Sequence, residues 1–161
     1  MAGFTNFEIM LLKQKIYFFF EDVKVDIRNR SLVKKCIEQI FRKEARQVHF
    51  INYIFCTDKK ILKINRQFLN HNYFTDIITF DLSEENGIEA DIYISIDRIK
   101  ENSKIFKSSI KTELYRVIVH GALHLCGYND KNKKEKLMMR QKEEFYLAKY
   151  FSFHVKKFSK Y

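Results

Sequence analysis

The chain has 161 residues, 46% of them apolar, which suffices for one domain with its own core and excludes a disordered or fibrous protein. Its net charge of +10, from 30 Lys plus Arg against 20 Asp plus Glu, favours a polyanionic partner, nucleic acid first. Three cysteines at 36, 56 and 126 make no disulfide framework, and no run approaches the ~18 apolar residues of a membrane span, so a reduced, cytoplasmic protein without a secretory leader is expected.

Residues 1–8 are expected to fray, and the apolar run Ile9 to Phe20 suits a first strand. Arg30 to Ala45 carries Leu32, Val33, Cys36, Ile37, Ile40 and Phe41 at helical spacing, with Ser31 or Asn29 as cap. Val48 to Cys56 is rich in aromatic and β-branched residues and reads as a strand. Thr57 and Asp58 cap a helix through Phe68, and Asn70-His71-Asn72-Tyr73 is a polar connector. Thr75 to Leu82 is a strand, Glu84 to Gly87 a turn, and Ala90 to Ser95 a second strand, in which Ile92 and Ile94 alternate with Asp91 and Tyr93. Helices are expected over Ile96 to Phe106, Ser109 to Cys126 and Lys133 to about Tyr150. Without repeats or linkers, residues 1–161 form a single domain of α+β class: one small sheet with about five helices packed on it.

The chemistry concentrates in residues 120 to 130, His-Gly-Ala-Leu-His-Leu-Cys-Gly-Tyr-Asn-Asp. On a helix, His120 and His124 stand about 40° apart at roughly 100° per residue, so both rings share a face and can grip one metal ion. Gly127 can take the left-handed conformation that ends a helix and turns the chain back. Asp130 can then return as a third ligand, leaving one position open, as in catalytic zinc sites. Cys126 sits badly for ligation beside His124 and reads as packing; Cys36 and Cys56 read as buried thiols. Glu113 lies seven residues before His120, two turns away on the same face, and is a candidate general base. The cations Lys131, Lys133, Lys134, Lys136 and Arg140 could track a nucleic acid, but Glu135, Glu143 and Glu144 among them suggest a salt-bridged solvent face. The tail from Tyr150 to Tyr161 mixes Phe151, Phe153 and Phe158 with Lys156, Lys157 and Lys160, which suits either packing or single-stranded RNA.

The block His-Gly-x-Leu-His-Leu-x-Gly-Tyr resembles that of the YbeY family of single-strand-specific, metal-dependent endoribonucleases, which act in 16S rRNA 3′-end maturation and ribosome quality control. Asn65-Arg66-Gln67-Phe68, Phe74-Thr75-Asp76-Ile77-Ile78-Thr79-Phe80 and Ala90-Asp91-Ile92-Tyr93-Ile94 match further blocks of that family. The resemblance covers about Leu62 to Asp130 and leaves out the tail at 151–161. It implies a mostly four-stranded mixed sheet, one divalent ion (zinc by preference) on His120, His124 and Asp130, and single-stranded RNA and the small ribosomal subunit as partners. It also implies that Asp76 and Asp91 end up near the site, Asp91 orienting a metal-bound histidine. This sequence departs from the family pattern in several places. Asp130 replaces a third His, Asn129 an Asp, Phe74 a Pro, Thr79 a Ser and Ala90 a Gly, while Leu69 replaces an Arg thought to serve catalysis or RNA contact. Arg66, His71 or Lys63 are the cations that could stand in for it.

Two other readings compete. The same His spacing fits metzincin-like zinc peptidases, but Gly121 stands where such enzymes carry the Glu that moves a proton. A non-catalytic ribosome-assembly factor with a structural metal would explain Leu69 and the lack of a clear base.

Overall fold

The structure is a computed structural model that describes residues 15–84 and 87–152. Four strands and five helices lie among them: β1 Ile16–Phe20, α1 Arg30–Lys43, β2 Val48–Cys56, α2 Asp58–Leu69, β3 Ile77–Asp81, β4 Ile88–Ser95, α3 Ile96–Ile105, α4 Ile110–Leu125 and α5 Lys133–Phe151. This is the α+β fold expected. The early part of the expected first strand, the frayed start, most of the tail and part of the 84–87 turn lie outside the described residues.

The sheet order is β1-β2-β4-β3, with β1 parallel to β2, β2 parallel to β4 and β3 antiparallel to β4. The two central strands carry alternating large apolar residues. Ile51, Tyr53 and Phe55 of β2 and Ala90, Ile92 and Ile94 of β4 point to one face and are buried there with residues of α1, α4 and α5. Ala90 is fully buried, so its methyl is accommodated in the strand where the family has Gly. The opposite face is smaller: Ile61 and Ile64 of α2 pack there with Cys56, Ile78, Phe80 and Tyr93.

Each helix begins where a side chain can accept from its exposed amides: Asn29, Thr57, Ser95, Ser109 and Asn132 all do so. Asn132 and Glu135 complete a capping box at the start of α5. Asn29, and not Ser31, caps α1.

α4 lies closest to the sheet. A Cβ on Gly121 would sit 2.9 Å from Ile77 Cδ1 and 3.3 Å from Ile92, so only glycine lets the helix backbone approach this far. The Tyr53 hydroxyl donates to the Ile118 carbonyl at 3.1 Å and fixes the helix against β2.

Cys36 and Cys56 are fully buried, and Cys126 packs partly buried against the core. Burial pushes all three thiols up to about 12. At pH 8 the thiolate fraction of such a group is about a thousandth of that of an ordinary cysteine. Alkylation of the native protein by iodoacetamide at pH 8 should therefore be about a thousandfold slower than after unfolding. One cysteine reacting as a free thiol would contradict this burial.

Candidate metal centre

The His120 and His124 rings emerge from α4 with the same orientation towards one point. Their Nε2 atoms are 2.8 Å apart, and Asp130 Oδ2 lies 3.7 Å from the first and 3.8 Å from the second. Ligand atoms held at ~2.1 Å from a tetrahedral ion stand about 3.4 Å from each other, so this triangle has the dimensions of a zinc site. Among the described residues, these three form the group of His, Cys, Asp or Glu that could hold a metal ion.

Asp130 reaches the site because α4 stops at the right place. Gly127, at φ +97°, donates to the His124 carbonyl at 2.9 Å, and Tyr128 donates to the Leu123 carbonyl at 3.1 Å. That pair of bonds is the Schellman ending, and the backbone angle, not any crowding, requires glycine there.

The nitrogens on the far sides of the rings are also held. His120 Nδ1 is 2.7 Å from Glu143 Oε1, and His124 Nδ1 is 2.8 Å from the Tyr128 carbonyl oxygen. Both partners are acceptors, so both Nδ1 atoms donate, which turns both Nε2 atoms towards the ion. Burial works against a charged His120 ring, yet the hydrogen bond and charge of Glu143, helped by Asp76 and Asp130, outweigh it and raise its pKa. Burial and the neighbouring His120 lower that of His124.

Glu143 was legible in the sequence only as part of a charged solvent face. In the fold it is buried and also accepts from Arg116 Nη1 at 3.3 Å. Arg116 had no role in the sequence reading, although it stands four residues before His120 on the same helix face. Partners of this kind orient a ligating histidine, and their loss typically weakens metal affinity about 10–100-fold. Glu143→Gln should weaken zinc binding by such a factor, read by competition with a chromophoric chelator. Unchanged affinity would show that Glu143 does not orient the ring.

The other expected site residues divide. Glu113 is 2% exposed and lines a cleft of about 370 Å³ that opens beside His120 and Asp130. Asp76 joins the site through its charge, which acts on both His120 and Glu113. Asp91 does not. It pairs across β2 and β4 with Asn52, whose amide donates to it at 2.9 Å. Because Ile92 faces α4, its neighbour Asp91 points to the opposite face of the sheet, so it cannot orient either histidine. Leu69 is exposed at the end of α2. Of the cations considered in its place, Arg66 donates to Asn72 at 2.6 Å and His71 stacks on Tyr73 at 5.1 Å, while Lys63 is exposed on α2.

The family model described as endoribonuclease YbeY matches residues 16–151. The endoribonuclease YbeY of Cytophaga hutchinsonii is 50% identical over 137 residues, covering 84% of this chain and 96% of that protein. This chain belongs to the endoribonuclease YbeY family. Its Parabacteroides distasonis relative is 41% identical over 133 residues, covering 83% of this chain and 94% of that one. The solution structure of TM1509 from Thermotoga maritima superposes with a TM-score of 0.60 at 28% identity, covering 91% of this chain and 99% of that one. YbeY membership thus rests on the whole folded region, with the His120–Asp130 block inside it. No helix among the described residues is long and apolar enough to cross a membrane.

Proposed function

We propose that the chain is a single-strand-specific endoribonuclease that binds one zinc ion on His120, His124 and Asp130. It acts in the cytoplasm, at the 3′ end of 16S rRNA, in association with the small ribosomal subunit. The observation that carries this reading is the convergence of two Nε2 atoms and one carboxylate oxygen, with both far-side nitrogens tied to acceptors.

When bound, a zinc ion supplies a Lewis acid for a phosphoryl oxygen and acidifies water to near neutrality. The chain's own residues do the rest. Glu143 and the Tyr128 carbonyl hold the two rings in the ligating tautomer. Asp130, with its side chain 45% exposed, stands on the solvent side and leaves the centre open to a polymer. Arg116, Lys136 and Arg140 line the adjoining cleft and attract phosphates. Asp76 places a negative charge near His120, which favours a cation there. Glu113 faces the cleft and serves substrate contact in this reading.

The position after His120 weighs against the peptidase alternative. Gly121 is pressed onto Ile77 and Ile92, so a proton-moving side chain there would point into the sheet and away from the ion.

The test is cleavage of an end-labelled single-stranded RNA, beside the same RNA annealed to its complement. Zinc-loaded protein should cut the single strand, a chelator should abolish cutting, and added zinc should restore it. Cutting indifferent to the chelator, or equal on the duplex, would refute the reading.

A further inference from the structure

The cleft beside the metal ligands is built as more than a phosphate groove. Its floor is apolar, with Met139 buried and Phe106 half exposed. Lys136 and Arg140, one turn apart on α5, stand at the same cleft, with Arg116 on α4. Its inner wall holds two buried polar atoms, Glu113 Oε2 and Ser108 Oγ, that have no hydrogen-bond partner among the described residues. The Arg116 Nε closest to that carboxylate oxygen is 3.6 Å away, beyond hydrogen-bonding reach. Buried polar atoms are rarely left unmatched, and leaving one so costs about 1–3 kcal/mol, so two in one wall beside an open cleft mark a place for a ligand's donors.

Resting on the nuclease reading above, we infer that this cleft receives one unpaired nucleobase next to the cut phosphate, and that Glu113 selects guanine. A carboxylate is an acceptor only. Guanine alone among the four bases presents two adjacent N–H donors, N1–H and the N2 amino group, on the edge that a carboxylate can meet with both oxygens. Uracil shows one N–H between two carbonyls, which the carboxylate repels. Phe106 and Met139 offer the apolar surface on which a base ring rests. Lys136 and Arg140 meet the attached phosphate. A cleft of about 370 Å³ is within the range that takes small ligands. A base held in a duplex cannot enter, because its pairing edge is already occupied, so the same pocket supplies a physical reason for single-strand specificity.

The experiment measures binding of 5′-GMP, AMP, CMP and UMP to the zinc-loaded full chain by calorimetry. In parallel, cleavage sites are mapped on a single-stranded RNA containing all four bases. GMP should bind at least tenfold more tightly than UMP, and cuts should cluster at phosphates with guanosine on one fixed side. Glu113→Gln should remove the preference in both assays while zinc content and thermal midpoint stay near those of the native protein. Glu113→Leu, similar in volume and without polar atoms, should do the same if the Gln variant fails to fold. Equal binding of the four nucleotides, or a guanine preference that survives in the folded variant, would overturn the inference. Cutting without base preference would do so too while leaving the nuclease reading intact. GMP selectivity without any RNA cutting would instead refute the nuclease reading and leave the pocket.

Discussion

His124→Ala is expected to lower RNA cleavage at least about a thousandfold while leaving the fold intact. Catalysis through a metal ion depends on the ion being held, and removing one of three protein ligands removes most of that hold. The side chain of His124 is only partly buried, and its bonds go to His120 and to the Tyr128 carbonyl, not into the core. Both partners can be rehydrated when the ring is removed. The variant should therefore unfold within a few degrees of the native protein, read by circular dichroism, while end-labelled RNA stays uncut. Native-level cleavage by purified His124→Ala would show that the activity belongs elsewhere.

Gly121→Glu is the second large effect. It writes the His-Glu-x-x-His pattern of zinc peptidases into the chain, yet neither peptidase nor nuclease activity should result. A Cβ at this position already meets Ile77 Cδ1 at 2.9 Å, and the carboxylate beyond it would be driven between α4 and two core residues of the sheet. Overpacking costs about 1–3 kcal/mol, and an unpaired buried charge adds several more, which together approach the whole stability of a small domain. Soluble expression should fall sharply and the cooperative thermal transition should be lost. A well-folded variant that cleaves peptides would reverse the assignment of this helix face.

Much of this was legible in the sequence for local reasons. The expected strand Val48 to Cys56 appears with those bounds because its aromatic and β-branched residues leave no other local preference. The metal ligands were legible because two histidines one turn apart, a glycine that stops the helix and a following carboxylate lie within eleven residues. Strand β3 came out shorter than expected, running from Ile77 to Asp81, with Thr75 turning its hydroxyl to the Ile77 carbonyl.

What was missed depends on contacts between distant parts of the chain. Glu143 is 23 residues from His120 and sits in a run of mixed charge, so nothing local distinguishes it from its exposed neighbour Glu144. Asp91 shows the reverse case. The alternation that identified β4 already separates it from Ile92 and Ile94, but which face α4 would cover followed only from the approach of Gly121 to Ile92. The unsatisfied wall of the cleft likewise arises from α4 meeting the α3–α4 connection, which no pattern along the chain predicts.

The most direct measurement is the metal content of the purified protein after equilibrium dialysis against limiting zinc, beside the His120→Ala/His124→Ala double variant. One zinc per native chain, and none retained by the variant while its circular dichroism spectrum stays native, is the predicted result. Equal zinc in both proteins, or none in either, would contradict a metal centre built on these residues.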